Sequence, residues 1–176
     1  RIDALALLLT HTTEEEHFAS VNFGQYTSCL VKELIEIAPN YSDPCVHLNY
    51  GIQLGGDSLG RVPRIERKEI FMPYSLAMPL ALICNEILRN IFIHACQDRD
   101  EVTIKISIIL KEDEIGGELL FSHDGVPLPS DYDLNRDAGN GLKIVRSLVT
   151  RIGGKLKMNC GPLTEFNVEF CFSENR

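Results

Sequence analysis

Glu86, Asn90 and His94 recur every four residues in the segment MPYSLAMPLALICNEILRNIFIHA, which reads as the longest helix of the chain, so they share one stripe of its surface. A carboxylate one turn from a carboxamide suits a magnesium nucleotide: the Asn oxygen is a hard ligand for Mg²⁺, and the Glu can orient or deprotonate an attacking group. The same stripe equally describes a solvated helix face, and spacing alone does not choose between the two. Gly139-Asn140-Gly141-Leu142 stands where a loop turns into a helix. Glycines there let the N–H groups of a helix N-terminus approach a phosphate; they also describe a flexible linker.

Ala81, Cys84, Ile87, Leu88, Ile91 and Ala95 supply the apolar stripe of the long helix, with Ser75 as its expected N-cap and Pro79 in its first turn, where N–H groups lack internal partners. Leu5, Leu8 and Leu9 predict a short opening helix that stops near Thr12; Tyr26, Leu30, Leu34 and Ile37 predict a second from about Phe23 to Ala38, stopped by Pro39-Asn40. Val46 to Leu54 alternates as a strand, Gly55-Gly56-Asp57 turns the chain, and Ile70 to Met72 forms a short strand after a basic loop with Arg61, Arg64, Arg67 and Lys68. Glu101 to Leu110 and Glu118 to Phe121 read as a hairpin reversed at Gly116-Gly117. Residues 124 to 141 form a connection rich in Gly, Pro, Asp and Asn, a candidate lid. Leu142 to Ile152 is helical and capped by Gly153-Gly154, and Lys155 to Met158 with Glu165 to Phe172 close as strands. This order predicts an α+β layout, with helices stacked on one face of a mixed, mostly antiparallel sheet.

At 176 residues the chain is long enough to bury roughly 70% of its unfolded surface in one core. Hydrophobic residues at 44% and charged residues at 24% exclude a wholly disordered or collagen-like chain. With 25 acidic against 17 basic residues the formal charge is −8, which repels a phosphate backbone, so nucleic acid is not an expected partner. No basic n-region with an apolar h-region opens the sequence, and no apolar run reaches the roughly 18 residues needed to span a bilayer. Six cysteines without a CxxC read as buried free thiols in a reducing cytosol, with disulfides, which the even count permits, as the alternative. The opening RIDALALLLTHTTEEEH reads as the middle of a helix, so the sequence is expected to be a segment of a longer protein.

Together these segments resemble the catalytic and ATP-binding domain of bacterial sensor histidine kinases, within the wider ATPase group shared with gyrase, heat-shock chaperones and mismatch-repair proteins. The long helix is similar to the N box of the subgroup that reads NELVTNALKHA, matching at Asn85, Glu86, Asn90, His94 and Ala95. FSHDGVPLPSDYDL occupies the place of the first glycine box, GNGLKIVRSLVTRIGG that of the second, and TEFNVEF that of the closing strand. The resemblance implies a two-layer α/β sandwich with ATP between the N-box helix and the lid, Asn90 as magnesium ligand and Glu86 as catalytic partner. It further implies Asn85, His94, His123, Asp124, Gly125, Gly139, Gly141, Leu142 and Thr164 as nucleotide-contacting positions. Residues 1–17 would be the remnant of a dimerising hairpin that carries the phosphorylated histidine, and 18–176 the catalytic domain. A response regulator receiver domain would be the partner, a homodimer through the hairpin the assembly, and the cytoplasm the location of this part of a parent that is free or membrane-attached.

Five departures from the family pattern bear on activity. His123 stands where the family has an Asp that accepts from the adenine amino group, Pro127 where it has a second glycine, Ile93 where a basic residue touches phosphate, and Ile91 where a small residue follows the Asn. Pro162-Leu163 separates Gly161 from Thr164. Asp124 is one residue away from the missing carboxylate. Two functions follow: a domain that binds Mg-ATP for phosphoryl transfer to the upstream histidine, or a nucleotide-free domain that docks a response regulator or partner kinase. A serine kinase acting on an anti-anti-sigma partner uses the same fold, and upstream sequence would distinguish it. No phosphoacceptor signature surrounds His11 or His17, so this segment alone is not expected to phosphorylate itself.

Overall fold

The computed structural model describes residues 4–15, 18–37, 45–54, 64–66, 69–97, 99, 101–111 and 116–171. The chain runs α1 (Ala4–Thr10), β1 (Thr12–Glu15), β2 (Phe18–Asn22), α2 (Phe23–Ile37), β3 (Cys45–Leu54), β4 (Arg64–Glu66), β5 (Phe71–Pro73), α3 (Tyr74–Asn90) and a π-turn (Ile91–Ala95). It continues with β6 (Thr103–Lys111), β7 (Gly116–His123), α4 (Asn140–Arg151), β8 (Lys155–Asn159) and β9 (Thr164–Cys171). Six strands form one sheet in the order β4-β3-β6-β7-β9-β8, antiparallel except for the β3–β6 pair. A parallel pair needs a crossover, and α3 lies within the chain between β3 and β6. β1, β2 and β5 make a second, three-stranded antiparallel sheet.

Alternation puts Ile104, Ile106, Ile108, Leu119, Phe121, Phe166, Val168 and Phe170 on one face of the large sheet, all buried. They meet Leu80, Ile83, Ile87 and Leu88 of α3 and Val145 and Val149 of α4 in a single core. Fully burying each such side chain contributes about 1.5–3 kcal/mol. The other face carries polar residues and the ion pairs Lys111–Glu118 and Lys157–Glu169. This is the expected layered α/β sandwich. By length and composition Tyr74–Ala95 could cross a bilayer, a feature the count of unbroken apolar residues did not register; its apolar stripe is packed in the core.

The start of α2 and the glycine cap of α4 are as expected, while α1, the start of α3 and the start of α4, at Asn140 rather than Leu142, differ. α2 starts at Phe23 because the Gln25 N–H donates to Asn22 Oδ1 (3.1 Å), an N-cap. Ser75 does not cap α3: Pro73 holds that position without a side-chain cap bond, and Pro79 is therefore inside the helix rather than in its first turn. α4 ends in a Schellman motif, with Gly153 at φ 64°, its N–H donating to Thr150 O (3.1 Å) and the Gly154 N–H to Val149 O (2.9 Å). α1 ends at Thr10, and the polar Thr12–Glu15 stretch is a strand paired to β2.

Gly116 and Gly117 are not the hairpin reversal: they already pair with Lys111 and Leu110 in β7. Their glycine identity has another cause, since a Cβ on Gly117 would stand 2.6 Å from Ile109 O. The turn at Gly55-Gly56-Asp57 and the loop residues Arg61, Arg67 and Lys68 lie outside the described residues, and Arg64 belongs to β4. All six cysteines are free, yet only Cys84 and Cys96 are buried; Cys45 and Cys171 are exposed.

Candidate functional site

A cleft of ≈390 Å³ opens where the C-terminal end of α3, its π-turn, the sheet, the 124–139 connection and the N-terminus of α4 converge. That volume lies within the ordinary range for small-molecule sites. Asn90, Ile91, His94 and Ala95 line it from the helix, His123 and Phe166 from β7 and β9, Val126, Leu128, Tyr132 and Asp137 from the connection, and Gly139 to Leu142 from the start of α4.

The π-turn aims the helix side of this cleft. The Cys96 N–H bonds Ile91 O (3.2 Å), an i→i+5 closure that widens the last turn after Asn90. Asn90, just before this turn, and His94, within it, line the cleft, while Glu86, one regular turn before Asn90 and outside the lining residues, packs against the start of α4. A Cβ built on Gly141 would stand 2.7 Å from Glu86 Oε2 and 3.5 Å and 3.6 Å from the Asn90 amide atoms, so the start of α4 lies against both side chains. The connection is pinned to the same turn. The Val126 N–H donates to Ala95 O (2.8 Å), and Gly125 lies so near that carbonyl that a Cβ would collide with it.

Further along, Arg136 holds Asp137 through Nε to Oδ1 (2.7 Å) and a second nitrogen to Oδ2 (2.8 Å), and the Asp133 N–H donates to Oδ2 (2.9 Å). These bonds hold the Asp137 carboxyl down at about 2, so it faces the cleft ionised. His123 is 3% exposed, and its Nδ1 has no hydrogen-bond partner. Burial lowers the imidazole pKa, against a smaller opposing influence from Asp124, so the ring is neutral near pH 7. Leaving a buried polar atom unpaired costs about 1–3 kcal/mol.

Of the residues expected to contact a nucleotide, the structure brings Asn90, His94, His123, Gly139, Gly141 and Leu142 together. Asp124 is not among the lining residues: its Oδ1 accepts from the Thr103 N–H (2.7 Å), so the adjacent carboxylate does not stand in at the place of His123. Gly125 supports the wall from behind, and Asn85 is buried within α3 with Oδ1 unpartnered. Thr164 is fully buried, accepting from the Leu128 N–H (3.5 Å) and facing Gly161 O (3.5 Å), so it braces the connection. Sequence reasoning missed Tyr132, Asp137 and Phe166. Phe166 carried a usable signal, since strand alternation puts it on the same face as Thr164.

A magnesium nucleotide fits the donor set in part. Among the described residues no cluster of three His, Cys, Asp or Glu side chains could hold a metal, so Asn90 would be a lone protein ligand. Mg²⁺ tolerates that, because it usually keeps several waters and takes phosphate oxygens. Among the described residues neither Lys nor Arg lines the cleft, so phosphate charge would be balanced by the ion and by the start of α4.

No protein-family model matches the chain. It is 27% identical over 116 residues to the blue-light-activated histidine kinase 2 of Erythrobacter litoralis, covering 64% of this chain and 32% of that protein. The histidine kinase domain of the blue-light-activated kinase EL346 from Erythrobacter litoralis superposes with a TM-score of 0.74 at 20% identity, covering 98% of this chain and 73% of that one. The catalytic domain of the histidine kinase ThkA superposes with a TM-score of 0.58 at 14% identity, covering 89% of this chain and 96% of that one.

Proposed function

We propose that this chain, which has the fold of histidine kinase catalytic domains, binds a magnesium nucleotide in the cleft and serves phosphoryl transfer from ATP to a histidine on an upstream helical hairpin. The observation that carries this reading is the convergence of Asn90, His94 and the Gly139–Gly141 backbone over an apolar floor of Ile91, Leu128 and Phe166. Polar groups at one rim and flat apolar walls below suit a phosphate chain and a base, respectively.

Each residue then has a task. The Asn90 carboxamide oxygen holds the ion, and the α4 N-terminus with its glycines receives the phosphates. Glu86, set against Gly141 outside the cleft lining, would position the start of α4 beside Asn90. Bound magnesium supplies charge neutralisation to the phosphate oxygens during transfer. Residues 1–17 would lead out of the hairpin through α1, whose Leu8 is fully buried in this domain's core. In the whole protein the hairpin would dimerise, a response regulator receiver domain would take the phosphoryl group, and this part would lie in the cytoplasm.

A nucleotide-free docking domain is the second reading. The ionised Asp137, the lack of a lining Lys or Arg among the described residues and the turning of Asp124 onto Thr103 favour it. Titration calorimetry with ATP, with and without Mg²⁺, separates the two. Magnesium-dependent binding of roughly −5 to −8 kcal/mol, weakened at least tenfold in Asn90→Ala, supports the kinase reading. No heat at millimolar ATP would overturn it in favour of docking.

A further inference from the structure

We infer that the cleft does not select adenine: His123 gives it a wall that pairs with either an amino or a carbonyl group at position six of a purine, so guanine and hypoxanthine nucleotides bind alongside adenine nucleotides. This rests on the nucleotide reading above and deepens it.

Strand β7 delivers His123 to the helix-facing side of the sheet, opposite Ile104 on one neighbour and Thr164 on the other. The ring therefore lies beside the floor residue Phe166, where a flat base would rest. The polar groups around it are already committed. Thr164 Oγ1 is used by Leu128 and Gly161, and the Asp124 carboxylate accepts from Thr103. His123 Nδ1 is left without a partner, so no group among the described residues fixes the imidazole tautomer through that nitrogen. His94, Tyr132 and Asp137 share the cleft; Asp137 is tied to Arg136, and burial keeps His123 neutral.

A neutral imidazole has one N–H and one lone pair, and its two tautomers exchange them. Toward the adenine N6 amino group it can accept, and toward the guanine O6 it can donate. A carboxylate at the same position only accepts, and would repel O6.

The test is calorimetric titration of the chain with Mg-ADP, Mg-GDP and Mg-IDP at pH 7.5. The three dissociation constants should agree within about tenfold. His123→Asp should weaken GDP and IDP at least tenfold relative to ADP, while His123→Gln, which keeps a donor and an acceptor, should preserve the wild-type pattern. The wild-type comparison stands even where a variant fails to fold. Wild-type binding of ADP with GDP and IDP weaker by about a hundredfold or more would overturn this inference and leave the nucleotide reading intact. Failure of all three to bind at millimolar concentration would overturn both.

Discussion

The carboxylate of Glu86 lies directly over Gly141, with Oε2 only 2.7 Å from where a Cβ on that residue would stand. The first turn of α4 thereby sits against α3 at this point, and Asn90 lies one turn away on the cleft side. A methyl group at position 141 must displace the end of a flexible side chain rather than backbone. Gly141→Ala is therefore expected to change unfolding free energy by less than about 1 kcal/mol, with better helix propensity offsetting part of the crowding. Its effect should fall on the ligand: magnesium-nucleotide affinity drops about tenfold by calorimetry. An unchanged affinity would show that Glu86 can move without consequence for the site.

Gly125 and Gly139 make a contrasting pair within the same connection. A Cβ on Gly125 meets the backbone carbonyl of Ala95, which cannot yield, whereas a Cβ on Gly139 has nothing within 4 Å. Gly125→Ala should cost at least about 2 kcal/mol in chemical denaturation, and Gly139→Ala less than about 0.5 kcal/mol. Gly139 is the uncapped N-cap of α4, so Gly139→Ser should add a few tenths of a kcal/mol of stability. The same hydroxyl would occupy N–H groups proposed to face phosphate, and nucleotide binding should weaken. Equal denaturation midpoints for the two alanine variants would refute this view of the connection.

Asp124 serves the fold through the Thr103 N–H. Asp124→Ala should lower stability by about 1 kcal/mol and leave nucleotide affinity within twofold of wild type. A loss of affinity without loss of stability would return Asp124 to the cleft.

His123 makes stability depend on pH in a defined direction. Its folded pKa lies below the ordinary value of about 6.5, so on acidification the unfolded chain takes up the proton first. The unfolded state then binds more protons, and stability falls as pH drops below about 6.5, by at most about 1.4 kcal/mol per pH unit. Above about pH 7.5 this contribution is flat. Asp137 and Glu169, whose pKa values are depressed, lose their contributions only below about pH 5, as pH falls through the carboxylate range. Urea midpoints measured from pH 5 to 8 should therefore slope less in His123→Gln than in wild type. Parallel slopes would show that His123 is protonated equally in both states.

What the amino-acid sequence determined by itself was the set of elements that bury a periodic face. Tyr26, Leu30 and Leu34 mark α2, Cys84, Ile87 and Leu88 mark α3, and Ile104, Ile106 and Ile108 lie in the apolar-rich run that is β6; all are buried. Asn90 and His94 on one helix stripe and Gly139 and Gly141 at a loop-to-helix junction were legible only as candidates, because local spacing describes a solvated face or a linker equally well; the fold is what brings them to one cleft. Tertiary structure decided the rest. Thr12–Glu15 is a strand because β2 pairs with it, not because its polar residues alternate. The π-turn, Glu86 against Gly141, Asp124 on Thr103 and Asp137 facing the cleft all depend on partners or packing beyond the local period. Local sequence sets which side of its own element a residue occupies, but what that side faces is set by distant chain, such as the 21 residues separating Thr103 from Asp124.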